Sequence, residues 1–423
     1  MSLYHKLGRA CLKVTNSIKD VKARKNFRAE RKIKRTGNKI KVGFICQYLP
    51  SWGKIEPVYR IMKESDDFET YLICLPMGIH DYKLDDPEDE SNDTYEYFTS
   101  QGYDAVNALV GKNQWLDLKS LELDYLFYTR PYNNYMPKEY SSFSVSKYTK
   151  VCVLLYAYTL LEDTYHSTLN EDFFRSVYLY FAECDYPMRK NIGHFRRSHK
   201  KGLQHSICLG MAGLDDIIKA KELEAPAWDF SSNEFRVMWT PRWTTDKAMG
   251  GSNFFTYKDS LVEFAENNKD IDFLFRPHPL MFDNFLNTGE MTQDEVNEYK
   301  NKIKELGNVS FDKEKEYGAT FWKSSVLLSD ISGMMYEYFL TGKPVIYCAS
   351  NVELELAENS KELVKGCYVS NSEEETFDIL MKLKNGEDPL KSTRRKLIKQ
   401  IFGDDIGSIP ANVVDAIRKD AKR

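Results

Sequence analysis

The sequence lacks the short signatures of several common protein classes. It contains no Cys-x-x-Cys pair, no GxxxxGK[ST] or GxGxxG phosphate loop and no HExxH zinc motif. Its eight cysteines are scattered, and several lie in apolar, strand-like runs such as VGFICQ and YLICLP. This usage is typical of a reduced cytosolic protein with buried thiols and argues against a disulfide framework. We therefore expect neither a metal site nor a bound cofactor.

Long apolar runs are also missing. No stretch reaches the roughly 18 apolar residues that a membrane-spanning helix requires. The N-terminal segment has no apolar core of the kind that a signal peptide carries. The sequence therefore predicts a cytoplasmic protein that does not cross the membrane.

The net charge of −4 conceals a strong asymmetry. Residues 1–41 hold 14 Lys and Arg but 2 Asp and Glu, which leaves 45 and 61 for the remainder. Within this arm, apolar residues recur at steps of three and four, the pattern of one helix face: Leu3, Leu7, Ala10, Cys11, Val14, Ile18 and Val21.

Two interpretations fit this basic amphipathic helix. It could dock on the body of the protein and leave its basic face in solvent. Alternatively, residues 1–35 could lie on an anionic surface at the inner face of the cell membrane, which would make the protein peripheral there. The acidic remainder of the chain argues against nucleic-acid binding.

The organisation of the chain indicates an α/β fold. At 423 residues it exceeds what one core usually supports. Short apolar runs alternate with amphipathic stretches from residue 40, and the alternation restarts at FRVMWT after the polar segment KELEAPAWDFSSNE. This predicts two doubly wound, Rossmann-like domains with parallel sheets that face a cleft. The predicted divisions are a basic helical arm at 1–39, an N-terminal acceptor domain at 40–225 and a C-terminal nucleotide domain with terminal helices at 233–423.

Two stretches carry candidate site residues. FRPHPL places Arg276 and His278 each directly before a proline, after the strand IDFLF. Ligands of doubly wound sheets bind beyond the carboxyl ends of the strands, and the planar fork of arginine suits a phosphate. In SDISG, Ser332 and Gly333 lead into a helix. The serine hydroxyl and the first exposed amides would bind an anion, although plain helix capping would use the same serine.

Three more residues are candidates on similar grounds. Thr240 and Arg242 follow the strand FRVMWT, in a glycine-containing loop that could also be an ordinary surface loop. Glu337 lies one helical turn after Gly333. Its carboxylate could accept from ribose hydroxyls or simply complement the helix dipole.

These stretches also carry a family resemblance. FRPHP, followed about fifty residues later by SDISGMMYEYFLTGKPVIY and preceded by MWTPRWTTD, resembles the CDP-glycerol glycerophosphotransferases of teichoic-acid and capsule synthesis. The resemblance covers roughly residues 235–350 well and the N-terminal half loosely. It implies a GT-B architecture and a metal-independent transfer of a polyol phosphate from a CDP-activated donor to a glycan or lipid-linked acceptor. By position, donor-site roles are implied for Arg276, His278, Ser329, Asp330, Ser332 and Glu337.

The sequence departs from the family in its first half. Wall-polymer members carry a WHGxP-type stretch whose histidine is thought to act as the base, and no such stretch occurs here. The nearest counterpart is KVCVLLYAYTLLEDTYH, in which Glu162, Asp163 and His166 are candidate bases. Two alternatives therefore stay open. The chain could be a nucleotide-sugar glycosyltransferase of the same fold, or a non-catalytic scaffold of a surface-polysaccharide assembly complex.

Overall fold

Two compact units make up the chain. The computed structural model describes residues 3–33, 37–162, 172–246, 251–314, 316–349, 354–403 and 406–422, with the backbone alone for 3–13. The first unit comprises residues 1–157, 165–215 and 407–423, and the second comprises 158–164 and 216–406. Each unit is built on its own parallel sheet, which confirms the predicted α/β class.

The first unit has a seven-stranded sheet in its described part, with the order β11-β10-β9-β8-β1-β2-β5 and parallel pairing throughout. Two small antiparallel hairpins, β3–β4 and β6–β7, lie outside it. The strands are β1 (Ile40–Cys46), β2 (Phe68–Cys74), β3 (Ile79–His80), β4 (Lys83–Leu84), β5 (Ala105–Asn107), β6 (Leu109–Gly111), β7 (Gln114–Trp115), β8 (Tyr125–Tyr128), β9 (Lys150–Leu154), β10 (Leu179–Ala182) and β11 (His205–Cys208).

Helices accompany this sheet along the chain. Their bounds are Leu3–Glu30, Glu56–Lys63, Asp93–Ser100, Ser142–Val145, Asp172–Arg175, Asp185–His194, Arg196–Lys200 and Ile409–Ala421. Helix Glu56–Lys63 begins with a proline in its first turn, where the missing N–H costs no hydrogen bond. The chain enters the second unit within the helix Leu214–Lys219.

In its described residues, the second unit has a six-stranded parallel sheet with the order β14-β13-β12-β15-β16-β17. Its strands are β12 (Phe235–Thr240), β13 (Ile271–Phe275), β14 (Val309–Phe311), β15 (Val326–Ser329), β16 (Val345–Cys348) and β17 (Tyr368–Ser370). Its other helices are Phe254–Asn267, Met281–Thr288, Gln293–Glu305, Gly318–Lys323, Gly333–Phe339, Glu358–Val364, Glu373–Lys384 and Lys391–Phe402.

Local sequence explains these elements well. The inner strands are buried on both faces and therefore contain continuous apolar runs, as in VGFIC of β1 and FLF of β13. Helix Gln293–Glu305 starts with a capping box, in which Thr292 and Glu295 each bond the other's backbone N–H.

The C-terminal helix Ile409–Ala421 belongs to the first unit, whereas the sequence grouped it with the C-terminal domain. Asp420 on this helix accepts hydrogen bonds of 2.7 Å from the Tyr125 and Tyr178 hydroxyls. It also forms an ion pair of 2.7 Å with Lys150. Tyr125 and Lys150 begin β8 and β9, so this buried group ties the helix to the amino ends of adjacent strands.

The N-terminal helix Leu3–Glu30 docks on the first unit along one side. Ala23 and Phe27 are buried. Asn26 donates to the Phe143 carbonyl at 3.0 Å, and Asp20 forms an ion pair with Arg175. Within the part of the chain that the structure describes, no helix is both long and apolar enough to span a bilayer.

The opposite side of this helix is apolar and exposed. Val14, Ile18 and Val21 are 60%, 52% and 45% exposed. By the 3.6-residue repeat they lie on the side away from Ala23 and Phe27. The apolar periodicity in the sequence therefore follows the solvent-facing side of the helix, where its side chains are described, and not the docked side.

Candidate functional site

Three loops meet at the carboxyl edge of the second sheet. They follow β12, β13 and β15, and in the sheet β12 lies between the other two strands. The strand β12 has this middle position because the chain winds outward from it in both directions. The loop carrying Arg242 is therefore the middle one, between Arg276 and His278 on one side and Ser332 on the other.

Asp330 fixes the middle loop. Its carboxylate is buried and accepts from the Arg242 backbone N–H at 2.8 Å and from the Asn253 side-chain amide at 3.0 Å. Burial raises its pKa to about 6, although the hydrogen bonds from Arg242 and Asn253 lower it in part. Asp330 thus acts as a positioning residue that holds two loops together beneath the edge.

Part of the Arg242 guanidinium makes no hydrogen bond to the described residues. Its terminal nitrogen donates to the Ile331 carbonyl, and its buried Nε has no hydrogen-bond partner among the described residues. Burial lowers the pKa of its guanidinium, which nevertheless stays charged at neutral pH. An unsatisfied, half-buried guanidinium at a strand end is suited to an anionic ligand.

Arg276 is held from two sides. One terminal nitrogen donates to Asp312 at 2.6 Å and to the Glu314 carbonyl at 2.9 Å. The guanidinium lies 4.6 Å from the centre of the Tyr317 ring, and the hydroxyl of that tyrosine donates to Glu337. The side chain of Arg276 is 18% exposed, so the rest of its fork can reach a ligand at the edge.

His278 is neutral at neutral pH. Burial, together with the nearby Arg242 charge, lowers its pKa to about 4. Its Nδ1 accepts the Leu280 backbone N–H at 3.2 Å, so the ring proton is on Nε2. The His278 ring is therefore a neutral hydrogen-bond donor and adds no positive charge to the edge at neutral pH.

We expect His278→Gln to keep more activity than His278→Ala, because an amide can replace a neutral N–H donor. The Ala variant should lose about 10²-fold in turnover and the Gln variant about tenfold or less. A fully active His278→Ala variant would contradict this role.

The same substitution has a pH signature. Between about pH 6.5 and the folded pKa of about 4, the unfolded chain binds the His278 proton more readily, so stability falls as the pH falls through this window. The melting temperature of His278→Gln should therefore drop less than that of the wild type between about pH 7 and about pH 4.5. An equal drop in the melting temperature of both proteins would mean that the His278 ring lies in an ordinary exposed environment.

The loop after β15 leads into the short helix Gly333–Phe339. Ser332 occupies the N-cap position, but its hydroxyl makes no capping hydrogen bond and instead contacts the Ser329 hydroxyl at 3.2 Å. A Cβ at Gly333 would meet nothing within 4 Å among the described residues. Ser332 and Gly333 are half-buried and accessible at the edge.

Four of the predicted site residues are buried beneath the edge. Thr240, Ser329, Asp330 and Glu337 are each less than 5% exposed. The Ser329 hydroxyl donates to the Thr240 and Asp330 carbonyls, and Glu337 accepts from Tyr317. Their side chains support the loops, so the ribose contact suggested for Glu337 stays a prediction.

Of the first-half base candidates, Glu162 alone lies within the described residues. Asp163 and His166 lie outside the described residues. The Glu162 backbone N–H donates to the Glu355 carbonyl at 2.9 Å. Tyr158, four residues before Glu162, is buried and stacks on Tyr336 with ring centres 4.0 Å apart.

Sequence reasoning missed three supporting residues. Asp312 follows β14 and pairs with Arg276, but a three-residue edge strand gave too little apolar signal to be recognised. Asn253 bridges Asp330 and the Cys348 carbonyl from just before a helix. Tyr317 was one tyrosine among 27, with no pattern to single it out.

Comparisons with known proteins give a family match for the second unit and similar solved structures for the fold. Residues 225–400 match the sequence model of the CDP-glycerol:poly(glycerophosphate) glycerophosphotransferase family. Comparison with curated protein sequences gives no significant match.

Among solved structures, the wall teichoic acid polymerase TagF is 13% identical, with a TM-score of 0.57 over 100% of this chain and 99% of that one. A TagF variant soaked with CDPG is 12% identical, with a TM-score of 0.55 over 100% and 99%. The UDP-GlcNAc 2-epimerase of Neisseria meningitidis, bound to UDP-GlcNAc, is 14% identical, with a TM-score of 0.60 over 90% and 100%.

These likenesses establish the fold, since GT-B-type structures match nearly the whole chain, and the family model covers every predicted donor-site residue. Over residues 225–400 the resemblance to the CDP-glycerol glycerophosphotransferase family that the sequence shows is therefore confirmed.

Proposed function

We propose that this chain transfers glycerol phosphate, or a related polyol phosphate, from a CDP-activated donor to a glycan or lipid-linked acceptor in teichoic-acid or capsule synthesis. The observation that carries the proposal is the cluster of Arg242, Arg276 and His278 at adjoining strand ends, inside the region that matches the family. Two cations and a neutral N–H donor at one edge suit a diphosphate.

The reaction can be written with these residues in defined roles. An acceptor hydroxyl attacks the phosphorus that carries the polyol, the bond from this phosphorus to the bridging oxygen breaks, and CMP leaves with the electron pair. The hydroxyl proton passes to a base, for which Asp163 and His166 remain our candidates. Arg242 and Arg276 would stabilise the charge that develops on the leaving phosphate, and His278 would donate a hydrogen bond to it.

Nucleotide release tests the proposal directly. The full chain is incubated with CDP-glycerol, CDP-ribitol or UDP-sugars and a short oligo(glycerol phosphate) acceptor. We expect CMP from a CDP-polyol only when the acceptor is present. UDP released from a UDP-sugar would instead indicate a glycosyltransferase, and no release from any donor would favour the scaffold alternative.

We further propose that the protein is peripheral on the inner face of the cell membrane. The exposed apolar stripe Val14, Ile18 and Val21 is bordered by basic residues on the solvent side of a docked helix: Lys22, Arg24, Lys25 and Arg28. An apolar stripe with basic flanks is the pattern of a helix that lies on an anionic bilayer surface. Docking on the protein and contact with a membrane are therefore compatible, because they use opposite sides.

We expect the combined variant Lys22→Gln, Lys25→Gln and Arg28→Gln to bind anionic vesicles about 10²-fold more weakly at low salt. Each basic residue near such a surface contributes about 1 kcal/mol. Sedimentation with phosphatidylglycerol vesicles measures the binding, and turnover on a soluble acceptor should stay unchanged.

A matched control replaces three exposed lysines elsewhere in the first unit, namely Lys83, Lys112 and Lys138. An equal loss of vesicle binding in both variants would mean that the effect comes from the net charge of the protein and not from this helix. Point variants are preferable to deleting the arm, since deletion would also uncover the contacts of Ala23 and Phe27.

A further inference from the structure

Tyr317 contacts two of the three loops at the carboxyl edge of the second sheet. Its ring lies 4.6 Å from the guanidinium of Arg276, which follows β13. Its hydroxyl donates to Glu337, on the helix that follows β15. Because β12 lies between β13 and β15, these contacts join the loops on either side of the Arg242 loop. Tyr317 belongs to neither loop, since it follows β14.

A tyrosine suits both contacts because each uses a different part of the side chain. The ring face attracts a guanidinium through its quadrupole and takes up none of the N–H donors. Asp312 and the Glu314 carbonyl hold one terminal nitrogen of Arg276, and its other nitrogens make no hydrogen bond to the described residues. Arg276 is therefore fixed in direction while most of its donors remain available to a ligand. The hydroxyl meanwhile gives a hydrogen bond to the buried carboxylate of Glu337.

The helix Gly318–Lys323 begins directly after the tyrosine and is held by two indole N–H groups. Trp322 donates to the Ile217 carbonyl at 2.7 Å. Ile217 lies in the helix in which the chain enters the second unit. Trp228 donates to the Thr320 carbonyl at 3.1 Å. The helix that carries the tyrosine is therefore fixed against the segment that opens the second unit.

Gly318 shows how closely the helix and this segment pack. A Cβ at Gly318 would lie 2.8 Å from the Ala220 Cβ and 3.2 Å from the Ile217 Cα. Both distances are shorter than the roughly 3.5–4.0 Å of an ordinary carbon contact. A larger side chain would therefore push the helix away, and Tyr317 would move with it because the two residues are adjacent. The packing at Gly318 thus determines the position of Tyr317 beside Arg276.

We propose that Tyr317 is a positioning residue of the donor site, which fixes the Arg276 guanidinium relative to the helix Gly333–Phe339. The packing of Gly318 on residues 217–220 fixes Tyr317 in turn. The inference rests on the proposed transferase function and adds to it residues that contact no ligand. Tyr317 takes no part in bond breaking, so its loss should act through the placement of Arg276. A misplacement of about 1 Å costs about 10²-fold in rate, and charge that develops on a leaving phosphate is more sensitive to it than ground-state binding.

Two substitutions in the full chain separate the ring of Tyr317 from its hydroxyl. Tyr317→Phe keeps the ring beside Arg276 and removes the hydrogen bond to Glu337, and should lower kcat with CDP-glycerol about tenfold. Tyr317→Leu removes both contacts and should lower kcat about 10²-fold. The affinity for CDP, measured by calorimetry, should fall less, by about threefold for the Phe variant and up to about tenfold for the Leu variant.

Gly318→Ala tests the second step from outside the site. Its Cβ meets Ala220, so the helix should shift and kcat should fall about tenfold. Adding Ala220→Gly removes the atom at 2.8 Å and should restore most of the lost rate. Thermal melts on the same preparations give the folded fraction. If Gly318 served folding alone, the single variant would melt earlier and keep the wild-type kcat per folded molecule, and this would overturn the second step.

Tyr368 offers a matched control in the same unit. Its hydroxyl donates to the Asp388 carboxylate at 2.7 Å, and the Arg394 guanidinium lies 6.0 Å from its ring centre. It begins β17 and so lies at the amino end of that strand. Tyr368→Phe should lose about as much stability as Tyr317→Phe and keep the wild-type kcat.

CDP affinity and CMP release together separate this inference from the transferase proposal. Wild-type kcat and CDP affinity in Tyr317→Leu, an equal loss of kcat in Tyr368→Phe, or no CDP binding by the wild type would each overturn the inference. A wild type that releases no CMP, but whose CDP binding depends on Tyr317, would support the positioning role and refute the transferase proposal. CMP release that is indifferent to Tyr317 would do the reverse.

Discussion

Arg276→Ala should lower the turnover of CDP-glycerol by roughly 10²- to 10³-fold, the usual effect of removing one preorganised donor to a developing charge. The structure adds a complication, because the substitution also leaves Asp312 buried without its partner. Losing one member of a buried pair destabilises a protein by about 3–5 kcal/mol. The Ala variant alone therefore cannot separate catalysis from stability.

Arg276→Lys makes that separation. Lysine keeps a positive charge beside Asp312 but cannot keep that contact and also present a planar fork to the diphosphate. We expect melting close to that of the wild type, with turnover still reduced at least tenfold. Steady-state rates and thermal melts measured on the same preparations give both quantities.

Arg236→Ala is the control on the same sheet. Arg236 lies near the amino end of β12, 5.6 Å from the centre of the Trp228 ring, and so is remote from the carboxyl edge. The Arg236→Ala variant should lose more stability than turnover. A folded Arg276→Lys protein with wild-type turnover would remove Arg276 from the proposed donor site.

Asp420→Ala should lower the free energy of unfolding by about 3–5 kcal/mol, since it leaves the Lys150 ammonium unpaired in a buried site. Chemical denaturation followed by circular dichroism measures the loss. Asp415→Ala, on an exposed part of the same helix, should change stability by no more than about 0.5 kcal/mol.

The contribution of Asp420 to the free energy of unfolding depends on pH in a definite direction. Burial alone would raise the pKa of Asp420, but the hydrogen bond and charge of Lys150, with the two tyrosine hydroxyls, outweigh it and hold the pKa below the usual range. The stabilisation is therefore fully present above about pH 4 and is lost as the pH falls through the lower, folded pKa. The difference between wild type and Asp420→Ala should shrink on acidification. A constant difference would mean that the carboxylate charge does not contribute.

The sequence was informative where physical signals are local. The apolar runs of β1, β12 and β13 were recognised because strands covered on both faces need apolar side chains at consecutive positions. The loops with Arg276 and Ser332 were found because proline, glycine and charge interrupt such runs. The short strands β11, β14 and β17 were missed, since three or four residues carry too little pattern.

What the sequence could not supply was spatial order and burial. Nothing in the chain order shows that β12 separates β13 from β15, or that Ser329 and Thr240 point beneath the edge while Arg242 reaches its surface.

The placement of helix Ile409–Ala421 in the first unit has a consequence for biosynthesis. As the chain leaves the ribosome, the second unit, 216–406, is complete before the first, although domains generally fold as they emerge from the N-terminus. Until residues 409–421 are made, Lys150, Tyr125 and Tyr178 lack the carboxylate that joins them. In nascent chains the first unit should therefore remain incomplete after the second unit has been synthesised. A stop codon before residue 409 should give a truncated product that stays bound to chaperones.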